Sequence, residues 1–336
     1  MIERATSLPD KLAKGLAESH LPSLDGLRAV AALAVVFYHY GFDWAPGGLG
    51  VLAFFVLSGF LITWLLLKEE ERYGAVSLRL FYTRRALRIF PAFYVYWLLL
   101  VGALVVFHKR LVGGQALASF FYCNNYYQAL RGDPNTGLSH TWSLAIEEQF
   151  YLLWPLAFLL LRRNGRRMAF LLGGIAAVWV WREALIFGLQ RDQGYIYEAF
   201  DARADHLMMG CLLAVALREG AAAGLWRRLC ARSALLWGTL GLLAVSVALN
   251  VRFGTGYRDA VGFAIDPILV AALLVQAIGW PRAGFARVLN WGPVRYLGTI
   301  SYSIYLYQQM LIDPAKKLAA QWPALSLPFT MAAVVA

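Results

Sequence analysis

Long apolar segments recur along this chain, with only short connectors between them. Most of them approach the ~20 residues that an α-helix needs to cross the hydrocarbon core of a bilayer. Nine such segments are present, near residues 26–43, 48–67, 90–107, 143–161, 168–187, 205–217, 233–251, 260–279 and 296–312. A tenth begins near Ala324 and stops at Ala336, so we expect an incomplete final helix. The pattern predicts an all-α, polytopic membrane bundle of about ten transmembrane helices.

The composition favours a membrane protein over a soluble one. Hydrophobic residues make up 60% of the 336 positions, charged residues only 15%, and the mean hydropathy is +0.55. A soluble domain of this length carries more charge and fewer apolar residues. Residues 1–22 are polar and lack the apolar stretch of a cleavable signal peptide. We therefore expect one membrane domain over residues 1–336, with 1–22 as a cytoplasmic N-terminal segment and no appended soluble domain.

The basic residues indicate how the bundle is oriented. Of the 31 lysines and arginines, twenty flank the predicted spans on the side of the N-terminus, ten flank the other side, and Arg28 lies within a span. Because Lys and Arg near span ends are retained in the cytoplasm, this bias predicts a cytoplasmic N-terminus. It also accounts for much of the +11 net charge, and without a separate basic module we expect no nucleic-acid partner. The three cysteines lack the spacing of metal ligands, so no metal site is predicted.

One predicted span carries a charged and a titratable side chain on the same face. Arg28 and His39 interrupt the apolar stretch 27–40, and on a helix their spacing separates them by about 20° around the axis and roughly 16 Å along it. Such groups are costly within a bilayer and mark polar sites inside a bundle. The imidazole, with an unperturbed pKa of ~6.5, suits a general base acting on a hydroxyl group. The alternative is a snorkelling Arg28 and a His39 held in a helix interface, but the shared face favours function.

A cluster of arginines precedes the third predicted span. Arg84 and Arg88 are one helical turn apart, Arg85 lies beside them, and Pro91 follows. Guanidinium groups bind phosphate oxygens through paired hydrogen bonds, so the cluster is a candidate site for a phosphorylated ligand at the cytoplasmic surface. The simpler alternative is that these charges only orient the span and contact anionic lipid. The closeness of Arg85 and Arg88 to the start of the span favours a ligand.

The fourth predicted span begins with polar residues. Ser143 and Glu147 are four positions apart and share a helix face, whereas Glu148 points about 100° away. Acidic residues in a first helical turn can simply complement the helix dipole. Glu147, however, lies a full turn beyond Trp142, the aromatic side chain expected at the membrane interface, so it should reach into the bundle. A carboxylate there is a candidate to orient an imidazole or to accept a proton.

Two further segments carry weaker signals. Arg203 and Asp205 lie at the predicted start of a later span, where Asp205 can cap the helix and Arg203 can pair with an acid. Structural capping is the more economical interpretation of this pair. Gly59 is interpreted as a helix-packing contact rather than a catalytic element.

In combination, these segments resemble the acyltransferase 3 family of integral membrane enzymes, which acylate sugars and related hydroxyl compounds of the cell envelope. The resemblance covers residues 23–307 and rests on six segments in order: SLDGLRAVAALAVVFYH, FFVLSGFLIT, RRALRIFP, HTWSLAIEEQFYLLWP, FDARAD and SYSIYLY. It implies a helical bundle in a bacterial-type inner membrane. It also implies acyl-CoA, such as acetyl-CoA, as a co-substrate arriving from the cytoplasm, with no tightly bound cofactor, and a carbohydrate or glycolipid acceptor.

The resemblance assigns roles by position. His39 looks like the family's essential membrane histidine, Arg28 like its basic partner, and Arg85 and Arg88 match an arginine motif proposed to hold the donor. The full candidate site comprises catalytic His39, Glu147 and Ser143, donor-binding Arg28, Arg84, Arg85 and Arg88, and acceptor-binding Trp142, Glu148, Arg203 and Asp205.

The chain departs from the family pattern at two positions. Phe93 stands where a tyrosine often follows the Arg-Pro motif, and this replacement removes a hydrogen-bonding group. Gln308 stands where many members have histidine after the Ser-Tyr-Ser segment, which argues against an acid–base role at that site. Neither departure affects the set around His39.

An O-acyltransferase mechanism connects these residues. On this hypothesis, we expect the phosphates of coenzyme A to bind Arg85 and Arg88 and the thioester to extend towards His39. His39 would deprotonate the acceptor hydroxyl or transiently accept the acyl group, while Glu147 orients its ring. A different class remains open, because the same polar groups could line a transport pathway for a carbohydrate or a lipid-linked precursor. The sequence also leaves open the acceptor, the length of the acyl chain and the oligomeric state.

Overall fold

The structure is a computed structural model that describes residues 8–18, 20–162 and 165–321, with side chains through residue 312. Every regular element in these residues is a helix, as the apolar pattern predicts. The α-helices, in chain order, are α1 (Asp10–Ala17), α2 (Pro22–Tyr40), α3 (Gly47–Tyr73), α4 (Leu78–Val106), α5 (Gly113–Phe120), α6 (Asn124–Arg131), α7 (Thr141–Leu160), α8 (Arg166–Glu183), α9 (Gln193–Glu198), α10 (Phe200–Glu219), α11 (Ala223–Leu229), α12 (Ala234–Phe253), α13 (Thr255–Tyr257), α14 (Phe263–Gly279), α15 (Gly284–Leu289), α16 (Gly292–Thr299) and α17 (Ser301–Gln321). Two π-helical segments, Ala184–Gly188 and Arg258–Gly262, follow α8 and precede α14. The predicted tenth span, from Ala324, lies outside the described residues.

Several of these helices are long and apolar enough to cross a membrane. Within the described residues, five meet that description: Gly47–Tyr73, Leu78–Val106, Arg166–Gly188, Ala234–Phe253 and Thr255–Gly279. Two bent pairs raise the number to seven if each pair is one span, namely α1 with α2, bent by 82°, and Gln193–Glu219 with α11, bent by 106°. The helices fit a multi-pass membrane protein, whereas the predicted count of about ten is not confirmed.

α7 illustrates why fewer helices qualify than the sequence pattern predicts. It has 20 residues, enough to span a bilayer, but it is not among the five. Glu147 and Glu148 lie in its first half and lower its mean hydropathy. The same acids therefore make α7 a poor span by composition and a strong candidate for chemistry.

Glycines let α3 and α10 approach each other closely at the centre of the bundle. A Cβ atom at Gly59 would overlap the backbone of Leu207, and one at Gly210 would overlap the backbone of Val56. Across the same contact the thiol of Cys211 donates to the carbonyl oxygen of Gly59, with 3.4 Å between the two atoms. Small residues at helix crossings permit such packing inside membranes. The interpretation of Gly59 as a helix-packing contact is confirmed.

Two tyrosines of α17 hold α4 on either side of its internal proline. Pro91 has no N–H group to donate within α4, which weakens the helix at this point. The hydroxyl of Tyr302 donates to the carbonyl oxygen of Ile89, and that of Tyr307 donates to the carbonyl oxygen of Ala92, both at 3.2 Å. These hydrogen bonds fix α17 against α4 and so place one wall of the candidate site.

Ion pairs join the helices at the predicted inner end of the bundle. The last two turns of α3 contain three consecutive glutamates, which pair with arginines from other segments. The pairs are Glu69 with Arg84 at 2.8 Å, Glu70 with Arg162 at 2.9 Å and with Arg167 at 2.7 Å, and Glu71 with Arg218. A single exposed pair contributes little to stability, so the effect of this network is to position α4, α8 and α10 around the end of α3.

Candidate active site

A cavity of about 160 Å³ lies inside the bundle, between α2, α3, α4, α7 and α17. Its polar and charged lining consists of Arg28, Ser58, Arg85, Arg88, Ser143, Glu147, Glu148, Tyr151, Ser301, Tyr302 and Tyr305. Convergent polar groups in an otherwise apolar cavity are typical of a binding or catalytic site. We call this space the central cavity.

Glu147 lies among cations and hydroxyl groups in the central cavity. The hydroxyl of Ser58 donates to Oε1 of Glu147 at 2.8 Å. Arg28 and Arg85 are close enough to interact with the carboxylate electrostatically. The guanidinium of Arg85 also lies 3.7 Å from the ring centroid of Tyr151. Since a buried carboxylate is costly without a partner of opposite charge, the two arginines offset the cost of burying Glu147 here.

A second cavity, of about 720 Å³, adjoins the first at the predicted inner end. Leu65, Arg85 and Arg88 line both cavities. Arg84 lines only the second, and its Nη2 donates to Oε2 of Glu69 at 2.8 Å. The predicted arginine cluster is therefore divided, with Arg85 and Arg88 at the junction of the two cavities and Arg84 in an ion pair to one side.

Ser143 and Tyr305 line the central cavity towards the predicted outer end. Their hydroxyl oxygens are 2.5 Å apart, and they lie 3.2 Å and 3.1 Å from the carbonyl oxygen of His140. Each hydroxyl has one hydrogen, so one of them donates to the carbonyl and the other donates to its neighbour. Ser143 and Glu147 both line the cavity, in agreement with the helix face that their spacing predicts.

His39 lies beside Gln308, three residues further along α17 than Tyr305. Nδ1 of His39 is 3.3 Å from Oε1 of Gln308, and Nε2 of Gln308 donates to the carbonyl oxygen of Tyr305 at 3.1 Å. Among the described residues, the lining of the central cavity includes Arg28 but not His39. His39 is close enough to His140 to interact with it electrostatically. The two residues predicted on one face of α2 thus lie at two levels, Arg28 at the cavity and His39 beyond its predicted outer end.

The immediate neighbours of His39 and Glu147 differ from those that we expected. The carboxylate predicted to orient the imidazole accepts instead from Ser58, and the imidazole lies beside an amide. Gln308, which the sequence presents only as a departure from the family pattern, is that amide. The sequence does predict the helix face on which Gln308 lies. Ser301, Tyr305 and Gln308 follow one another at spacings of four and three, so they share one face of α17.

Trp142 and Glu148 also lie in unexpected surroundings. Trp142 is 7% exposed, and its ring packs against those of Phe55 and Tyr197, with centroids 6.2 Å and 5.0 Å away. Rings from α3 and α9 therefore cover Trp142 within the protein, whereas we expected an aromatic side chain that contacts the membrane interface. Glu148, which points away from Glu147 on an ideal helix, lines the central cavity with it.

Asp205 does not cap α10, and Arg203 does not pair with an acid. α10 begins five residues before Asp205, which therefore lies in the second turn. Its carboxylate accepts from both Nη atoms of Arg182, at 3.2 Å and 3.0 Å, and from Nε1 of Trp179 at 2.9 Å. Arg203 forms no ion pair within the part of the chain that the structure describes. The capping prediction is wrong because the helix starts earlier than the polar pattern suggests.

The family model that matches this chain and two curated relatives are all named as acyltransferases. The family model described as an acyltransferase domain matches residues 21–336. Peptidoglycan O-acetyltransferase OatA of Listeria monocytogenes is 34% identical over 313 residues, which cover 87% of this chain and 49% of the relative. O-acetyltransferase OatA of Staphylococcus aureus is 33% identical over 322 residues, which cover 90% of this chain and 52% of the relative.

The matches cover most of this chain but only part of each relative. The chain spans about half the length of the curated relatives it matches. No solved structure matches it. The family model, by contrast, covers the whole candidate site, from Arg28 on α2 to Gln308 on α17. The chain belongs to the acyltransferase 3 family.

Proposed function

We propose that this chain is a membrane-embedded O-acyltransferase that moves an acyl group, acetyl in the first instance, from acyl-CoA to a hydroxyl group of an envelope glycan. Peptidoglycan is the favoured acceptor, since the Listeria monocytogenes relative is named for that activity. The observation that carries the proposal is the junction at Arg85 and Arg88, where a larger cavity lined by cations meets the smaller central cavity.

The two cavities correspond to the two halves of coenzyme A. The larger one suits the phosphorylated nucleotide, because five cationic side chains line it: Lys68, Arg72, Arg84, Arg85 and Arg88. The narrow central cavity suits the pantetheine arm and its thioester. At the junction, Arg85 and Arg88 would bind phosphate oxygens with their guanidinium forks. Arg84 meets a phosphate only if its ion pair with Glu69 opens.

Arg28 and Glu147 lie along the central cavity, which the pantetheine arm of the donor would occupy. We assign Glu147 a positioning role, since its negative charge holds Arg28 and Arg85 near the path of the donor. Beyond it lie the paired hydroxyls of Ser143 and Tyr305, and the one whose hydrogen now points to the carbonyl oxygen of His140 would donate to the carbonyl oxygen of a thioester by rotating towards the cavity. Such donors stabilise the charge that develops on that oxygen during acyl transfer.

His39 is the proposed general base. Because the NH₂ group of Gln308 donates to a carbonyl, the amide oxygen faces His39 and accepts from its Nδ1–H. A neutral imidazole protonated on Nδ1 carries its lone pair on Nε2. Nε2 removes the proton of the acceptor hydroxyl, whose oxygen forms the ester bond with the acyl carbon. The carbon–sulfur bond breaks, and the coenzyme A thiolate leaves with the proton from the imidazolium.

The predicted orientation is consistent with this direction of transfer. Arginines at the predicted inner end would meet acyl-CoA on the cytoplasmic side of a bacterial-type inner membrane. His39 would then lie towards the outer half of the bilayer, where an envelope glycan arrives. Direct transfer and an acyl group carried briefly by His39 both use this arrangement.

The proposal is tested with the full chain in lipid nanodiscs, supplied with peptidoglycan fragments and acetyl-CoA labelled in the acetyl group. We expect label to appear as a base-labile ester on the glycan, with one free coenzyme A thiol for each ester formed. The His39→Ala variant should form no ester above background. If the sugar crosses the membrane of liposomes that contain the chain without becoming labelled, the transport alternative replaces the enzyme.

A further inference from the structure

Arg203 is a buried guanidinium whose N–H groups form no hydrogen bond within the described part of the chain. The side chain is 0% exposed, and none of Nε, Nη1 and Nη2 has a hydrogen-bond partner there. Its cation lies 3.8 Å from the ring centroid of Phe263 and 5.0 Å from that of Tyr197. Rings stabilise the faces of a guanidinium, but they leave the N–H donors around its edge unsatisfied.

The two neighbouring arginines, Arg182 and Arg258, each form an ion pair with an acid. Arg182 is paired with Asp205 at 3.0 Å, and Arg258 is paired with Asp259 at 2.7 Å. Glu198 influences Arg203 electrostatically but forms no ion pair with it in the described residues. Among the described residues, Arg182 and Arg258 therefore form ion pairs with acids, whereas Arg203 forms none.

The position of Arg203 relates it to the candidate active site. Its guanidinium lies 5.8 Å from the ring of Phe55 and 5.9 Å from that of Trp142. Phe55 also lines the central cavity, so Arg203 lies directly behind the wall of that cavity. Arg203 lies near the start of α10, at the predicted outer end of the bundle from which the acceptor would arrive, whereas Arg85 and Arg88 lie near the start of α4 at the predicted inner end. Tyr197 is only half-buried and is the least covered of the surrounding rings.

We propose that Arg203 binds a carboxylate of the acceptor, which makes the acceptor an acidic glycan rather than a neutral one. This inference rests on the proposed function and names the class of its second substrate. Unsatisfied guanidinium donors require oxygen acceptors, and a carboxylate engages two of them at once in the plane of the fork.

The test measures binding to the full chain in lipid nanodiscs by isothermal titration calorimetry, without any acyl donor. The two probes, N-acetylmuramic acid and N-acetylglucosamine, differ only in a lactyl ether that carries a carboxylate. We expect the wild-type chain to bind the acidic sugar about tenfold more tightly and Arg203→Met to abolish the difference. Arg203→Lys keeps the charge without the fork and should reduce the difference. Arg258→Lys, the matched control, keeps its pairing with Asp259 and the full preference.

Arg203→Met also separates binding from a structural role. Because the substitution removes a buried cation that lacks hydrogen bonds, we expect its thermal unfolding midpoint to equal or exceed that of the wild type. A wild-type chain that binds the two sugars equally, or an Arg203→Met variant that keeps the preference, overturns the proposal. If the Met variant does not fold, retention of the full preference by Arg203→Lys overturns it instead.

Failure of the proposed Arg203 site can be distinguished from failure of the proposed acyl-transfer reaction. Acetyl transfer to both sugars without a binding preference would overturn this site and leave the O-acyltransferase intact. A preference that depends on Arg203, in a chain that transfers no acetyl group, would contradict the reaction and leave the site intact.

Discussion

Nδ1 of His39 and the amide oxygen of Gln308 lie 3.3 Å apart, across 269 positions of sequence. The amide is itself fixed, because its nitrogen donates to the carbonyl oxygen of Tyr305 at 3.1 Å. An amide oxygen can only accept, so this contact selects the imidazole tautomer that is protonated on Nδ1. The residue that departs from the family pattern therefore sets which nitrogen of the proposed base can take a proton.

This relationship predicts a graded set of variants at position 308. Gln308→Leu removes the acceptor while keeping similar volume, and we expect the turnover number for acetyl transfer to fall about tenfold or more. Gln308→Glu keeps an acceptor and should retain more activity than the leucine variant. His39→Ala should lose more than either, since general base catalysis contributes about 10²–10⁴-fold. Steady-state kinetics in nanodiscs compares the three.

A spectroscopic control distinguishes orientation of the ring from a general effect on packing. Nitrogen NMR of histidine-labelled protein reports which ring nitrogen carries the proton, and the His39 signal is assigned from its absence in His39→Ala. We expect protonation on Nδ1 in the wild type and a mixture of tautomers in Gln308→Leu. An Nδ1 resonance that does not change on loss of the amide would remove Gln308 from the mechanism.

Arg85 and Arg88 should control the affinity for the donor. Each arginine lies at the junction of the two cavities, so Arg85→Gln and Arg88→Gln should each raise KM for acetyl-CoA about tenfold, as expected for loss of a charge-assisted hydrogen bond. Arg84→Gln should have a smaller effect, because Glu69 already neutralises that side chain. Arg162→Gln is the matched control, since its partner Glu70 keeps Arg167. Equal KM values for all four variants would place the nucleotide elsewhere.

The sequence was sufficient for those parts of the site that depend on one helix. Ser143 and Glu147 share a face because they are four residues apart, and both line the central cavity. Arg28 also lines it, on the helix that carries His39. Helical geometry alone produces these relationships, so they could be predicted without knowledge of how the helices pack.

Contacts between helices could not be predicted in this way. The sequence contains no local signal that pairs Gln308 with His39, or that supplies Asp205 with Arg182 from the end of α8. Aromatic residues are common at membrane surfaces, which predicts an interfacial Trp142, but the sequence does not predict that rings from α3 and α9 cover it. In each case a partner distant in sequence decides the role of the residue.

Glu147 should be essential for stability as well as activity. Glu147→Gln keeps a group that can accept from Ser58 but removes the charge that faces Arg28 and Arg85. Loss of one partner from a buried set of charges typically destabilises a protein by about 3–5 kcal/mol. We expect a lower thermal unfolding midpoint in detergent and loss of acetyl transfer. Glu219→Gln, at an exposed position on α10, is the control and should change neither quantity.

The packing of α3 on α10 makes a prediction that is independent of chemistry. A methyl group at Gly59 would meet the backbone of Leu207, which cannot move aside without shifting α10. We expect Gly59→Ala to destabilise the chain by about 1–3 kcal/mol, as overpacking does in well-packed cores.

Gly102→Ala is the matched control for this prediction, because Gly102 lies within α4 and no side chain or other helix of the described residues comes within 4 Å of its missing Cβ. Alanine favours a helix over glycine by about 1 kcal/mol, so this variant should be neutral or more stable. Thermal unfolding midpoints of the two variants, measured in the same detergent, give the comparison. Equal midpoints would mean that α3 and α10 are not in backbone contact. Because Arg203 and Asp205 lie on the same helix as Leu207, such a result would also require a new placement for that cluster relative to the central cavity.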